Sequence, residues 1–139
     1  DLAKGVPMDR LICGDVGYGK TEVAIRAAFT VALSGHQVAI LVPTTLLCRQ
    51  HHENLTKRFS KSPIKVAQLS RLVSPSEASE TTDKVAKGEV DILIGTHAIL
   101  SDKINFKKLI KAGANYIAIS TFIWNNPFLK PEAAIKKFK

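Results

Sequence analysis

Gly14, Gly17 and Gly19, followed at once by Lys20 and Thr21, are the residues of this chain whose types and spacing point most directly to chemistry. The run Gly14-Asp15-Val16-Gly17-Tyr18-Gly19-Lys20-Thr21 fits G-x-x-x-x-G-K-[ST], the pattern of a loop that wraps a phosphate chain. Glycines free the backbone for conformations barred to residues with a Cβ, so successive N–H groups can turn inward on phosphate oxygens. Lys20 would supply a point charge for the β- and γ-phosphates, and the Thr21 hydroxyl a ligand for Mg²⁺. A glycine-rich joint with no ligand is the alternative. The apolar run before the loop and the helical pattern after it are the context that a phosphate loop requires.

The elements that must hold this loop follow from the apolar pattern. A first strand is expected at about Arg10 to Cys13, and a helix from Lys20 to Ser34 that is apolar almost all round and so buried on most sides. Its one polar line is Glu22, Arg26 and Thr30, with Glu22 and Arg26 spaced to pair. Gly35 supplies the stop. The continuous apolar run Gln37 to Val42 reads as a parallel strand covered on both faces. It ends at Pro43-Thr44-Thr45, where a threonine can cap the next helix, Leu46 to Phe59. Leu47, His51, Leu55 and Phe59 form the apolar line of that helix, and Arg49, His52, Glu53, Lys57 and Arg58 its wet side. A third strand is expected at Ile64 to Leu69. Ser74, Pro75 and Glu77 spell a capping box for a helix to Lys87, ended by Gly88. A fourth strand, Val90 to Ile94, closes on Gly95-Thr96-His97. Alternation of strand and helix predicts a parallel, doubly wound α/β sheet with ligands at the carboxyl ends of its strands. The phosphate loop, Thr44-Thr45 and Thr96-His97 are expected on that shared edge.

Composition narrows the partners. The 139 residues suffice for one core, and 20 Lys+Arg against 12 Asp+Glu give a net charge of +8, which favours a polyanion, nucleic acid first. No run approaches the length of a membrane span, and Asp1-Leu2-Ala3-Lys4 lacks the layout of a secretory leader. The chain opens without an initiator methionine, as if cut from something longer. Cys13 and Cys48 have no metal-ligand company and are expected to be reduced core residues of a cytoplasmic protein.

Taken together, the segments resemble superfamily 2 helicases. Gly14 to Thr21 looks like motif I, Pro43-Thr44-Thr45-Leu46-Leu47-Cys48-Arg49-Gln50-His51 like motif Ia, and Ile94-Gly95-Thr96-His97-Ala98-Ile99-Leu100 like the Gly-Thr-His segment of the same first motor domain. The phrasing of Pro7 to Leu11 and of Thr21 to Phe29 is nearest to the bacterial transcription-repair coupling factors, with the RecG-like junction helicases as near relatives. The resemblance implies a RecA-like P-loop NTPase fold, incomplete, with residues 1–109 a partial helicase ATP-binding domain and residues 110–139 a divergent tail. It implies an ATP-dependent translocase on double-stranded DNA that meets RNA polymerase and excision-repair proteins. Lys20 and Thr21 would serve ATP and Mg²⁺. Thr44, Thr45, Gln50, His51, Thr96 and His97 would lie along the DNA backbone. Hydroxyls, amides and helix N-termini bind phosphates without reading sequence, which suits such a motor. For His51 half-buried packing, and for Thr44 and Thr45 simple helix capping, are the alternatives.

The chain departs from the family after Lys107-Lys108-Leu109. An apolar strand should there run into Asp-Glu-x-His, whose acids hold Mg²⁺ and orient the attacking water. Tyr116 to Ile119 can still pair as a strand, but Ser120 and Thr121 stand in the acidic positions, and after Asp102 the only acidic residue is Glu132. The adenine-contacting segment is expected upstream of Asp1, and the second motor domain downstream of Lys139. Hydrolysis by this stretch alone is therefore not expected. A non-catalytic nucleotide- or DNA-binding module is the alternative reading, and a small-molecule kinase a third that no lid or substrate segment supports.

Overall fold

The computed structural model describes residues 11–100 and 115–118. Its frame is a four-stranded, all-parallel sheet in the order β2-β3-β1-β4, formed by β1 (Val38–Leu41), β2 (Val66–Leu69), β3 (Ile92–Gly95) and β4 (Asn115–Ala118). Among the described residues there are three helices, α1 (Lys20–Leu33) before β1, and α2 (Thr45–Arg58) and α3 (Pro75–Ala86) joining successive strands, and a short 3₁₀ turn, His97–Leu100, follows β3.

Period-two alternation along the strands sends side chains to both faces, and each face acquires its own core. Val38, Ile40 and Val42 join Ile92 and Ile94 under α1 and α2, which contribute Ala28, Val31, Ala32, Cys48, Leu55 and Phe59. Ala39, Leu69, Val90 and Leu93 face the other way, onto Val85 of α3 and Ile99 of the 3₁₀ turn. The sheet is thus a middle layer. That is why β1 and β3 carry unbroken apolar runs with no polar face.

The helix ends are made as the sequence predicts. Thr44 stands at the N-cap of α2 with its hydroxyl accepting from the Leu47 amide, and Ser74 and Glu77 close a reciprocal capping box on α3 with Pro75 at its start. Gly35 and Gly88 take positive φ values of 83° and 74° past the ends of α1 and α3, a region that glycine enters at little cost.

Three expectations fail. The phosphate loop does not stand beside Thr44-Thr45 and Thr96-His97 on one edge: Glu22, in the first turn of α1, is bonded to Arg58 in the last turn of α2, about 20 Å along that helix from Thr44. Leu11–Cys13 is not a strand: it has no ladder partner, and Leu11 and Cys13 are exposed. A strand needs a neighbour for its amide and carbonyl groups, and this segment pairs with neither open edge of the sheet, at β2 or at β4. Arg10 lies outside the described residues. Cys13 is accordingly no core residue, whereas Cys48 is fully buried. Nor is α1 buried on most sides. Only Ala24, Ala28, Val31 and Ala32 are buried, while Val23 and Leu33 are more than half exposed.

Candidate functional site

The glycine-rich loop enters α1 without a side-chain cap. Gly19 is the N-cap residue itself, in the left-handed region at φ 73°, and Gly17 also has positive φ, 87°. Both conformations are strained for any residue with a Cβ, so these two glycines are required by the path of the chain. The turn is closed by the Tyr18 amide donating to the Asp15 carbonyl at 3.3 Å and the Glu22 amide to the Gly19 carbonyl at 2.9 Å. Among the described residues the amides of Val16, Gly17 and Gly19 have no acceptor. Lys20 folds its side chain back across the loop, and its Nζ donates to the carbonyls of Gly14 and Asp15 at 2.5 and 2.6 Å.

This arrangement fits a polyphosphate. Unpaired donors and a helix N-terminus give a field that favours an anion, and the Lys20 ammonium lies where it can exchange carbonyl oxygens for phosphate oxygens. Gly14 to Gly19 are exposed, and Thr21, in the first turn of α1, is half-buried.

Glu22 would oppose an anion here were it free, because it follows Thr21 directly. It is held instead by two arginines. Arg58, at the end of α2, donates Nη1 and Nη2 to the two carboxylate oxygens, and Arg26 donates Nε at 2.8 Å. The Arg58 bonds first, then those of Arg26, depress the Glu22 carboxyl to about 2. Arg26 was expected from helical spacing; Arg58, 36 residues away, was not.

A second cluster forms at the carboxyl ends of the strands. Leu41 of β1 and Leu69 of β2 both stand level with Gly95 of β3. The Val42 amide donates to the Gly95 carbonyl at 2.8 Å, so Thr44 and Thr45 on one side and Thr96 and His97 on the other leave neighbouring strands side by side. Gly95 has a packing reason: a Cβ there would collide with the Ile99 side chain and come within 2.8 Å of the Leu69 carbonyl oxygen. The close approach lets the 3₁₀ turn fold back and present His97.

The predicted contact residues divide here. Thr44 and His97 are exposed, and Thr45 is half-exposed in the first turn of α2. Thr44 keeps its hydroxyl proton for a ligand while its oxygen accepts from Leu47. Thr96 does not fit a direct contact: its side chain is 2% exposed, and its carbonyl accepts from the Ile99 amide to set the turn. Gln50 is exposed but lies about 7.5 Å along α2 from Thr45 at 1.5 Å per residue. His51 is half-buried, and burial lowers its pKa, so it offers a neutral ring.

Arg71, which belongs to none of the motifs, also stands at a strand end. It follows β2 as Thr44 follows β1 and His97 follows β3, and its Nη2 lies 3.1 Å from His97 Nε2. The strand-end rule, applied to the third strand, was signal enough to find it.

Residues 3–122 match the DEAD/DEAH box helicase family. Over 109 residues the chain is 51% identical to the transcription-repair-coupling factor of Staphylococcus aureus (strain USA300) and 54% identical to that of Bacillus subtilis (strain 168). These matches take in 78% of this chain and 9% of each relative, so the chain spans less than a tenth of their length. Among solved structures, RecG bound to a three-way DNA junction is similar at a TM-score of 0.67 and 42% identity, over 73% of this chain and 14% of that one.

Proposed function

The chain belongs to the DEAD/DEAH box helicase family, and from that premise we propose that it is the phosphate-gripping lobe of an ATP-driven translocase on double-stranded DNA. Its kinship with the transcription-repair-coupling factors supports placing that motor in transcription-coupled repair, beside RNA polymerase and excision-repair proteins in the cytoplasm. Among the described residues no helix is long and apolar enough to cross a membrane.

The observation that carries the reading is the loop itself: amides at Val16, Gly17 and Gly19 that have no acceptor among the described residues, and a Lys20 ammonium folded back onto the Gly14 and Asp15 carbonyls. In this proposal those amides and Lys20 bind the phosphates of ATP, and Thr21 orients Mg²⁺. Bound Mg²⁺ would neutralise charge that builds on the phosphates during transfer. Thr44, Thr45 and His97 bind the DNA backbone, with Gln50 and His51 further along α2. Thr96 acts through the turn it fixes.

Whether this lobe hydrolyses ATP turns on the segment after β4. The resemblance calls for two acids there, and the sequence reads Ser120-Thr121, outside the described residues. That substitution favours a second reading, a module that binds nucleotide and DNA without turnover. Two assays separate the readings: titration with a fluorescent ATP analogue in Mg²⁺, and phosphate release with and without duplex DNA. Binding that is lost in Lys20→Ala, with no release, supports the binding module. Release stimulated by DNA and lost in Lys20→Ala supports the active motor. Nucleotide affinity indifferent to Lys20→Ala would end both.

A further inference from the structure

We propose that Arg71, positioned by His97, is a contact for a nucleic-acid backbone phosphate, so that the DNA track of this lobe crosses three strand ends. The inference rests on the DNA-binding part of the function proposed above and adds a residue that the motif resemblance does not assign.

Charge accounting singles out Arg71. Four arginines lie among the described residues, and three are paired with carboxylates: Arg26 and Arg58 share Glu22, and Arg49 pairs with Glu53. Arg71 has no acidic partner among the described residues and is exposed at the turn beyond β2. Its companion is the His97 ring. A guanidinium has five N–H donors and no acceptor, so Nε2 of His97 accepts, and the other four donors have no partner among the described residues. An arginine braced in this way presents its fork to phosphate oxygens with less freedom to lose than a loose side chain.

The backbone supports the same orientation. Ser70 is buried, its carbonyl accepts from the Val73 amide at 3.1 Å and its hydroxyl from the Leu72 amide at 3.4 Å, which pins a tight turn. Arg71 and Leu72 are thereby turned outward, Leu72 to 70% exposure. Adjacent strands lie about 4.8 Å apart, so Thr44, His97 and Arg71 leave three neighbouring strands within roughly 10 Å. One stretch of sugar–phosphate backbone can engage all three. A net charge of +8 gives such a polyanion a reason to approach.

The test is equilibrium binding of a fluorescent DNA duplex across a salt series. Arg71→Ala should weaken binding about tenfold, equally for unrelated sequences, and flatten the plot of log K against log salt by about 0.9. Arg49→Ala, which removes an arginine paired with Glu53, should change both by much less. His97→Ala should weaken binding, and adding it to Arg71→Ala should cost less than the sum if the ring works through the guanidinium. Thermal melting of each variant confirms that it is folded. If Arg71→Ala keeps wild-type affinity and slope while Thr44→Ala weakens binding, the inference falls and the proposed function stands. If the wild-type chain does not bind duplex DNA, both fall.

Discussion

Arg58 grips both carboxylate oxygens of Glu22, at 2.5 and 2.6 Å, and so ties the last turn of α2 to the first turn of the helix that carries Lys20 and Thr21. The two ends of α2 thus have different neighbours. Its amino end, at Thr44, stands with the strand ends, and its carboxyl end is clamped to the phosphate-loop helix, where the Phe29 and Phe59 rings also meet at a centroid distance of 5.0 Å. A two-oxygen fork fixes direction as well as distance.

The clamp should respond to acid in a defined sense. The folded-state pKa of Glu22 is lowered from 4.5 to about 2, so its contribution is fully present above about 4.5 and disappears as pH falls towards 2. The pair is partly exposed, with side-chain accessibilities of 44% and 37%, so water and salt reduce its effect. Melting temperatures of wild type and Glu22→Gln should therefore differ above pH 4.5 and converge on acidification, with a smaller gap in 1 M salt (roughly a 3 Å screening length). A gap that grows as pH falls would refute the assignment.

Lys20→Ala should lower affinity for ATP by at least about tenfold, since a charge-assisted bond to phosphate is lost while the loop amides remain. Tyr18→Ala is the companion control. Its ring is 81% exposed and only its backbone closes the loop, so affinity should change by less than about threefold. Equal losses in the two variants would place the ligand elsewhere.

Gly95→Ala should destabilise the chain by about 1–3 kcal/mol in urea unfolding, the usual cost of forcing atoms into a packed core. The added methyl meets Ile99 and the Leu69 carbonyl oxygen. Pairing it with Ile99→Ala removes only the first obstacle, so the double variant should recover part of the stability at most. An unchanged midpoint for Gly95→Ala would mean that the 3₁₀ turn packs less closely than described.

The two thiols should separate cleanly. Cys48 is fully buried, its Sγ lies 3.4 Å from the Ile94 carbonyl, and burial raises its pKa, all of which slow attack by a thiol reagent. Cys13 is exposed. A disulfide reagent should modify one cysteine in the native protein and both in urea. Protection of Cys13 without denaturant would restore the strand expected at Leu11–Cys13.

Leu55 is 1% exposed where α2 meets the sheet, and Leu55→Ala should cost about 2–5 kcal/mol. Leu46, one position off the apolar line and 72% exposed, should tolerate alanine with a change under about 0.5 kcal/mol. Similar costs at both sites would contradict the orientation of α2.

Much of this molecule is local physics written in order along the chain. The capping box at Ser74–Glu77, the threonine cap at Thr44, the glycine stops and the alternation of apolar strands with helices each depend on neighbours within four or five residues, and each is legible without coordinates. The phosphate loop is legible for the same reason, because its chemistry lies in backbone conformations that only glycine supplies. Tertiary structure decided what depends on distant partners. It denied Leu11–Cys13 a ladder, buried Thr96 while exposing His97, joined Glu22 to Arg58 and laid Arg71 against His97. Hydrogen-bond partners separated by 26 or 36 residues leave no periodic trace, since only the order of the strands and the packing of the helices bring them within reach.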